Sequence, residues 1–116
     1  MDINNHQLTI FTKTYDFIIW MFNHTEKFPK SSRFTIAARI ENRLLDFMEA
    51  ITEANRLHNK LNKLTEADKI LEYTKILVRI SKDKKFINIS SYEYAARALN
   101  EIGSLLGGWI KRQKTV

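Results

Sequence analysis

One stretch decides the fold: Ala37-Ala38-Arg39-Ile40-Glu41-Asn42-Arg43-Leu44-Leu45-Asp46-Phe47-Met48-Glu49-Ala50-Ile51-Thr52-Glu53-Ala54. Ala37, Ile40, Leu44, Phe47, Ile51 and Ala54 recur at intervals of three and four. That spacing lines one face of an α-helix, whereas a half-buried strand would alternate every second residue. No Gly or Pro interrupts the run. The pattern predicts helix 2 over about 33–58, with Arg39 and Arg43 one turn apart beside its apolar stripe.

The same rule reads outward in both directions. Upstream, Pro29 in Lys27-Phe28-Pro29-Lys30-Ser31-Ser32 stops a helix, and the serines are expected to accept backbone N–H bonds where helix 2 starts. Helix 1 is predicted over about 5–26, with Leu8, Phe11, Tyr15, Ile18 and Phe22 as its stripe. Phe17, Ile19, Trp20 and Met21 lie off that stripe. A helix apolar nearly all round must be covered on more than one side, which predicts self-association. Downstream, Thr65 with Asp68 resembles a capping box and predicts helix 3 over about 65–83, with Ile70, Tyr73, Leu77 and Ile80 inward. Ser90 with Glu93 is a cleaner capping box. It predicts helix 4 over about 91–113, with Ala95, Leu99, Ile102, Leu106 and Trp109 inward.

Four helices of about 20 residues, each near 30 Å, joined by short connections, predict an all-α fold. The expected architecture is a single domain, 1–116, folded as an antiparallel up-down-up-down four-helix bundle. Composition agrees: apolar content is 44%, with three Gly and one Pro, as suits long helices with few turns.

Several chemistries are excluded or unsupported. With no cysteine, disulfides, thiol catalysis and zinc-thiolate sites are impossible, and the absence fits a reducing cytoplasm. The start Met1-Asp2-Ile3-Asn4-Asn5 lacks the basic opening of a secretory peptide. The longest apolar run, Phe17–Phe22, is far short of the roughly 20 residues a membrane span needs. No Glu has a His three residues later, as inward di-iron pairs require. His6, His24 and His58 lack ligand spacing, and no Gly-rich phosphate loop or Gly-x-Ser-x-Gly occurs. Asp46, Glu49 and Glu53 share a helix face, but a solvated, salt-bridged face explains them more simply than paired acid and base. No catalytic residue, metal site or cofactor is therefore expected.

Charge carries more information. The net charge is +6 and the pI about 9.7, which points to a polyanionic partner. Residues 60–85 hold eight basic and four acidic residues. Lys75, Arg79 and Lys82 share one face of helix 3. Such a stripe can track phosphates, or it can be a solubility face balanced by Glu72 and Asp83. On helix 4, Gly103 and Gly107 lie one turn apart. An interior Gly costs about 1 kcal/mol relative to Ala, so their presence predicts close approach of another helix, in the same bundle or in another subunit. Trp20 and Trp109 are expected in core or interface packing.

Three segments carry a family resemblance: Lys27-Phe28-Pro29-Lys30-Ser31-Ser32-Arg33-Phe34; Arg39-Ile40-Glu41-Asn42 with Leu44-Leu45; and Glu101-Ile102-Gly103-Ser104-Leu105-Leu106-Gly107-Gly108-Trp109-Ile110. With the four-helix layout they resemble the accessory variability determinant (Avd) of diversity-generating retroelements, across nearly the whole chain. The last segment is the most specific. The resemblance implies a ring-shaped homo-oligomer of five bundles with a basic surface. It implies a reverse transcriptase as partner, RNA or DNA binding, and a non-catalytic part in mutagenic retrohoming. Lys75 and Arg79 carry over as candidate contacts from a basic helix of that family. Arg39, Arg43 and Lys82 join them as expected binding residues for nucleic acid or polymerase. Trp20, Gly103, Gly107 and Trp109 are expected at an oligomer interface or in close helix packing. Four-helix bundle proteins encoded in ribosomal RNA intervening sequences share the fold, and they leave open an RNA-associated module without a reverse transcriptase.

Overall fold

The structure is a computed structural model that describes residues 5–114, with side chains from residue 8 onward. The chain's start, residues 1–4, and the side chain of His6 lie outside what is described, and so do the readings made of them. Four α-helices and no strand occur among the described residues: α1 (Asn5–Thr25), α2 (Ala38–Arg56), α3 (Leu61–Asp83) and α4 (Ile89–Lys114). Each helix packs on its neighbour in sequence, and α4 closes on α1. The molecule measures 46 × 24 × 20 Å, about the length of α4, whose 26 residues span roughly 39 Å at 1.5 Å per residue.

The stripes of α2 and α4 are buried as their spacing requires. Ala37, Ile40, Leu44, Phe47, Ile51 and Ala54 face Ala95, Leu99, Ile102, Leu106 and Trp109 within one core. The other two helices correct the sequence reading. In α1 the enclosed face is Ile10, Thr14, Phe17, Met21 and Thr25, with Ile18 beside it. The expected stripe residues Leu8 and Tyr15 are 55% and 61% exposed. The neighbours set this rotation. Thr25 donates to Glu41 of α2 at 2.6 Å, while Trp20 packs against Tyr94 of α4 at 4.6 Å. The sector between those two contacts is the one closed off from water.

In α3 the core takes Leu64, Ala67, Leu71, Thr74, Leu77, Val78 and Ser81. Of the expected stripe only Leu77 is fully buried. Thr74 and Ser81 enter the core because each hydroxyl donates to the carbonyl four residues back, Ile70 at 2.8 Å and Leu77 at 2.9 Å. A satisfied hydroxyl costs little to bury.

The helix ends also differ from expectation. Ser32 does not cap α2; its hydroxyl donates back to the Pro29 carbonyl at 2.9 Å. A 3₁₀ turn at Lys30–Ser32 and a π-turn at Arg33–Ala37 precede the regular helix. At its other end α2 stops at Arg56 because Leu57 is extended. The Lys60 ammonium donates to the carbonyls of Ala54 (3.1 Å), Asn55 (3.2 Å) and Leu57. Helix α3 starts at Leu61 rather than Thr65, which buries Leu64. Thr65 donates to Leu61 O at 2.8 Å, a mid-helix bond and no cap. Helix α4 starts at Ile89, and its N-terminal cap is Asn88, whose Oδ1 accepts the Ser91 N–H at 2.7 Å. The Ser90–Glu93 box is not the cap.

The α3–α4 connection closes with a Schellman arrangement. Phe86 N–H donates to Ser81 O at 2.8 Å and Lys85 N–H to Lys82 O at 2.9 Å. Lys85 sits at φ 64°, where glycine is usual. Phe86 meets Phe28 of the first connection, ring centroids 5.4 Å apart. Both connections therefore lie at one end of the bundle.

Candidate nucleic-acid interface

The seam between α2 and α3 gathers the expected α2 arginines around one aromatic ring. Arg39 Nη1 donates to Tyr73 Oη at 3.2 Å. Arg43 lies over the same ring, 5.4 Å from its centroid, and pairs with Asp46 at 3.3 Å. A cation over a phenol face is held by the ring quadrupole, so Tyr73 meets both guanidinium groups, with Asp46 as a second hold on Arg43. The sequence reading placed Tyr73 in the core stripe. At the half-buried edge of the seam it is instead the organiser of the arginines.

The three cations of α3 are not equivalent. Lys75 leans on Glu72 at 3.2 Å, and Lys82 is paired with Asp83 at 3.5 Å and lies 4.6 Å from the Tyr92 ring centroid. Arg79 is exposed and has no ion-pair partner among the described residues. Exposed Ile76 and Ile80 flank it. Of the charges on the expected stripe, Arg79 is the one held by no carboxylate among the described residues; six residues beyond Tyr73 on α3, it lies about 120° around the helix from it, so the structure does not bring it into the Arg39–Arg43 seam.

The residues expected in close packing divide. Trp109 is in the core, edge-on to Phe11 at 6.4 Å. Its indole N–H and the Thr14 hydroxyl have no hydrogen-bond partner among the described residues. Trp20 is half-buried and stacks on His24 at 3.9 Å. A Cβ at Gly103 would meet only side-chain atoms of α3, Leu71 Cδ2 at 3.4 Å and Lys75 Nζ at 3.5 Å, which is ordinary contact distance, so the expected close helix approach is not enforced there. A Cβ at Gly107 would meet nothing within 4 Å among the described residues.

The carboxylates of α2 do not converge. Asp46 serves Arg43, and Glu53 is bridged by Lys63 at 3.4 Å, which also holds Glu66 at 2.9 Å. The Glu66 bond, and then Glu53, push the Lys63 pKa above its ordinary 10.5. His24 Nδ1 faces the Trp20 carbonyl at 2.9 Å, and Nε2 lies 3.5 Å from Ser91 Oγ. The carboxylate that orients the histidine of a hydrolytic triad is replaced there by a backbone carbonyl. No group of three or more His, Asp or Glu that could hold a metal occurs among the described residues, and no helix among them is long and apolar enough to cross a membrane.

Residues 8–113 match the family model described as bAvd-like. No curated protein matches the chain. A solved structure from Bacteroides thetaiotaomicron, described as a protein of unknown function from the S23 ribosomal protein family, shares the fold. It superposes with a TM-score of 0.83 at 21% identity, covering 91% of this chain and 98% of that one.

Proposed function

Because the chain belongs to the bAvd-like family, we propose that it is a non-catalytic accessory protein of a diversity-generating retroelement, binding the element's reverse transcriptase and nucleic acid in support of mutagenic retrohoming. The observation that carries this reading is the seam where Tyr73 of α3 holds Arg39 and Arg43 of α2, with unpaired Arg79 further along α3 on a neighbouring face. Pre-positioned guanidinium groups suit bidentate capture of phosphate. Lys75 and Lys82 extend the face toward α4. On this reading the polymerase does the chemistry and the bundle, cytoplasmic like it, supplies a charged surface.

The reading includes an up-down-up-down bundle, supported by the short connections between helices that pack on their sequence neighbours. It also includes a ring-shaped homopentamer. Exposed Leu8, Tyr15 and Ile19 on α1 support self-association, because an apolar strip of that length favours a partner over water. Gly107, open on the outside of α4, is the glycine suited to such a contact, and Trp20 lies half-buried on the α1–α4 side.

The test is binding of labelled structured RNA and single-stranded DNA across a salt series, with Arg39→Glu/Arg79→Glu beside the wild type at matched oligomeric mass. Salt-dependent binding lost in the variant supports the seam as the interface; equal binding by both removes it. A second reading, an RNA-associated bundle of the ribosomal RNA intervening-sequence type, draws support from the likeness to the S23-family structure. Co-purification with the cognate reverse transcriptase separates the two.

A further inference from the structure

We propose that the end of the bundle formed by the two connections is a second nucleic-acid site, in which Phe34 stacks an unpaired base and a surrounding cluster of free cations holds its phosphates. The proposal shares with the preceding reading the premise of a nucleic-acid partner, but it concerns different residues and stands or falls separately.

Contact between Phe28 and Phe86 brings residues 26–34 and 82–89 to the same end. That end carries Lys27, Lys30, Arg33, Lys82, Lys84 and Lys85 against Glu26 and Asp83, with the Glu41 carboxylate, which accepts from Thr25, lining the hollow beside Arg33. Only Lys82 is spent on an ion pair, with Asp83. Lys27, Lys30, Arg33, Lys84 and Lys85 are all exposed and none has an ion-pair partner among the described residues. Elsewhere on the bundle Lys13, Arg43, Lys63 and Lys75 each lean on a carboxylate. Five exposed cations without a carboxylate thus lie within two short connections at this end, while Arg39, Arg56, Lys60, Lys69, Arg79, Arg97, Lys111 and Lys114, which also lack one among the described residues, are spread over the rest of the bundle.

Phe34 stands in the middle of this sequence neighbourhood and is 87% exposed, the most exposed large apolar side chain among the described residues. Its ring contributes nothing to the core. Its backbone, however, is ordered within the π-turn Arg33–Ala37, which the Thr35 hydroxyl tethers to Ser32 O at 3.3 Å. An aromatic ring on an ordered turn among unpaired cations is the arrangement that takes single strands. The bases stack on the ring and the backbone follows the charge. Duplex bases have their faces covered already, so the site discriminates for unpaired strand. A second copy of this chain is disfavoured as occupant, because it would set one surplus of positive charge against another.

The experiment measures anisotropy of a labelled oligothymidine and of a duplex of equal length across a salt series. The proteins are wild type, Phe34→Leu, Phe34→Trp, Lys84→Glu/Lys85→Glu and Arg39→Glu/Arg79→Glu, each checked for oligomeric mass. Phe34→Leu should weaken single-strand binding about tenfold without changing the salt slope, and Phe34→Trp should restore it. Lys84→Glu/Lys85→Glu should flatten the salt slope by roughly 1.4, the share of two phosphate contacts on a single strand. Single-strand binding by Phe34→Leu within twofold of wild type overturns the proposal. So does a changed oligomeric mass in that variant, which would assign the ring to an interface between copies. So does equal wild-type affinity for polyglutamate, which would assign the end to an acidic protein. If Arg39→Glu/Arg79→Glu loses binding while Phe34→Leu keeps it, this proposal fails and the seam reading stands. The reverse result removes the seam and keeps the end.

Discussion

Arg43 lies over the ring of Tyr73, 5.4 Å from the centroid, while the phenol oxygen of the same ring accepts a hydrogen bond from Arg39. One side chain of α3 thus sets the spacing of two cations on α2. Tyr73→Phe keeps the ring and loses the Arg39 bond, and should weaken nucleic-acid binding at low salt by no more than about threefold. Tyr73→Leu loses both, and the fall should reach about fivefold, the factor that corresponds to the roughly 1 kcal/mol a cation over an aromatic face is worth. Unchanged binding by Tyr73→Leu in anisotropy titrations would mean that the arginines need no such guide.

Thr14 is fully buried and its hydroxyl has no partner among the described residues. Thr14→Val keeps the shape and removes the orphaned polar group. It should raise stability by about 1 kcal/mol, read as a higher urea midpoint with an unchanged m-value.

Lys85 occupies the left-handed position of the Schellman turn at φ 64°. A side chain there costs roughly 1 kcal/mol relative to glycine, offset in part by the freer unfolded chain that glycine brings. Lys85→Gly should stabilise the fold by about 0.5 kcal/mol; a lower melting temperature would contradict the backbone geometry.

Gly107 faces open space on α4. In the isolated bundle Gly107→Ala should stabilise the helix by about 1 kcal/mol. If another subunit packs on this face, the added methyl should instead lower the oligomeric mass. Thermal melting together with light scattering distinguishes the two outcomes.

Lys63 bridges Glu53 of α2 and Glu66 of α3, and these bonds raise its pKa above the ordinary 10.5. Its folded form holds the proton more tightly than the unfolded chain does. Its contribution is therefore complete below about pH 10 and is lost as pH climbs through the raised folded value. The melting-temperature difference between wild type and Lys63→Gln should stay constant from pH 7 to 9 and close at higher pH. A difference already shrinking at pH 8 would contradict the bridge.

The sequence revealed the helices more readily than their orientation. The stripes of α2 and α4 were legible because each helix has one apolar face and an unambiguous period. Helix α1 is apolar on most sides, so the period fits several rotations, and only the positions of α2 and α4 select Phe17 and Met21 over Leu8 and Tyr15. Helix α3 hides its inner face behind Thr74 and Ser81, which read as surface residues until their hydroxyls are seen returned to their own backbone. The candidate site was legible as a set of cations. Two of their partners were legible too: Glu72 and Asp83, read as balancing acids from their place on the same helix, pair with Lys75 and Lys82, whereas the contacts of Arg39 and Arg43 with Tyr73 depend on how α2 and α3 pack and were not. Tyr73 carried no signal apart from its place three residues into the wrong stripe. Phe34 could have been found as a large apolar residue set in a basic connection, outside any stripe.

Lys60 closes the end of α2 with three bonds from one ammonium group, in a chain whose three glycines all lie in α4 and none in a connection. Turn geometry that another protein would entrust to glycine is here entrusted to a titratable, acylable amine. Chemical footprinting should therefore find Lys60 slow to acetylate beside fast Lys84, and acetylation of Lys60 should loosen the α2–α3 connection rather than merely lower the surface charge. Anyone recharging this surface to change its solubility or cargo would have to treat its lysines as two populations, one decorative and one architectural.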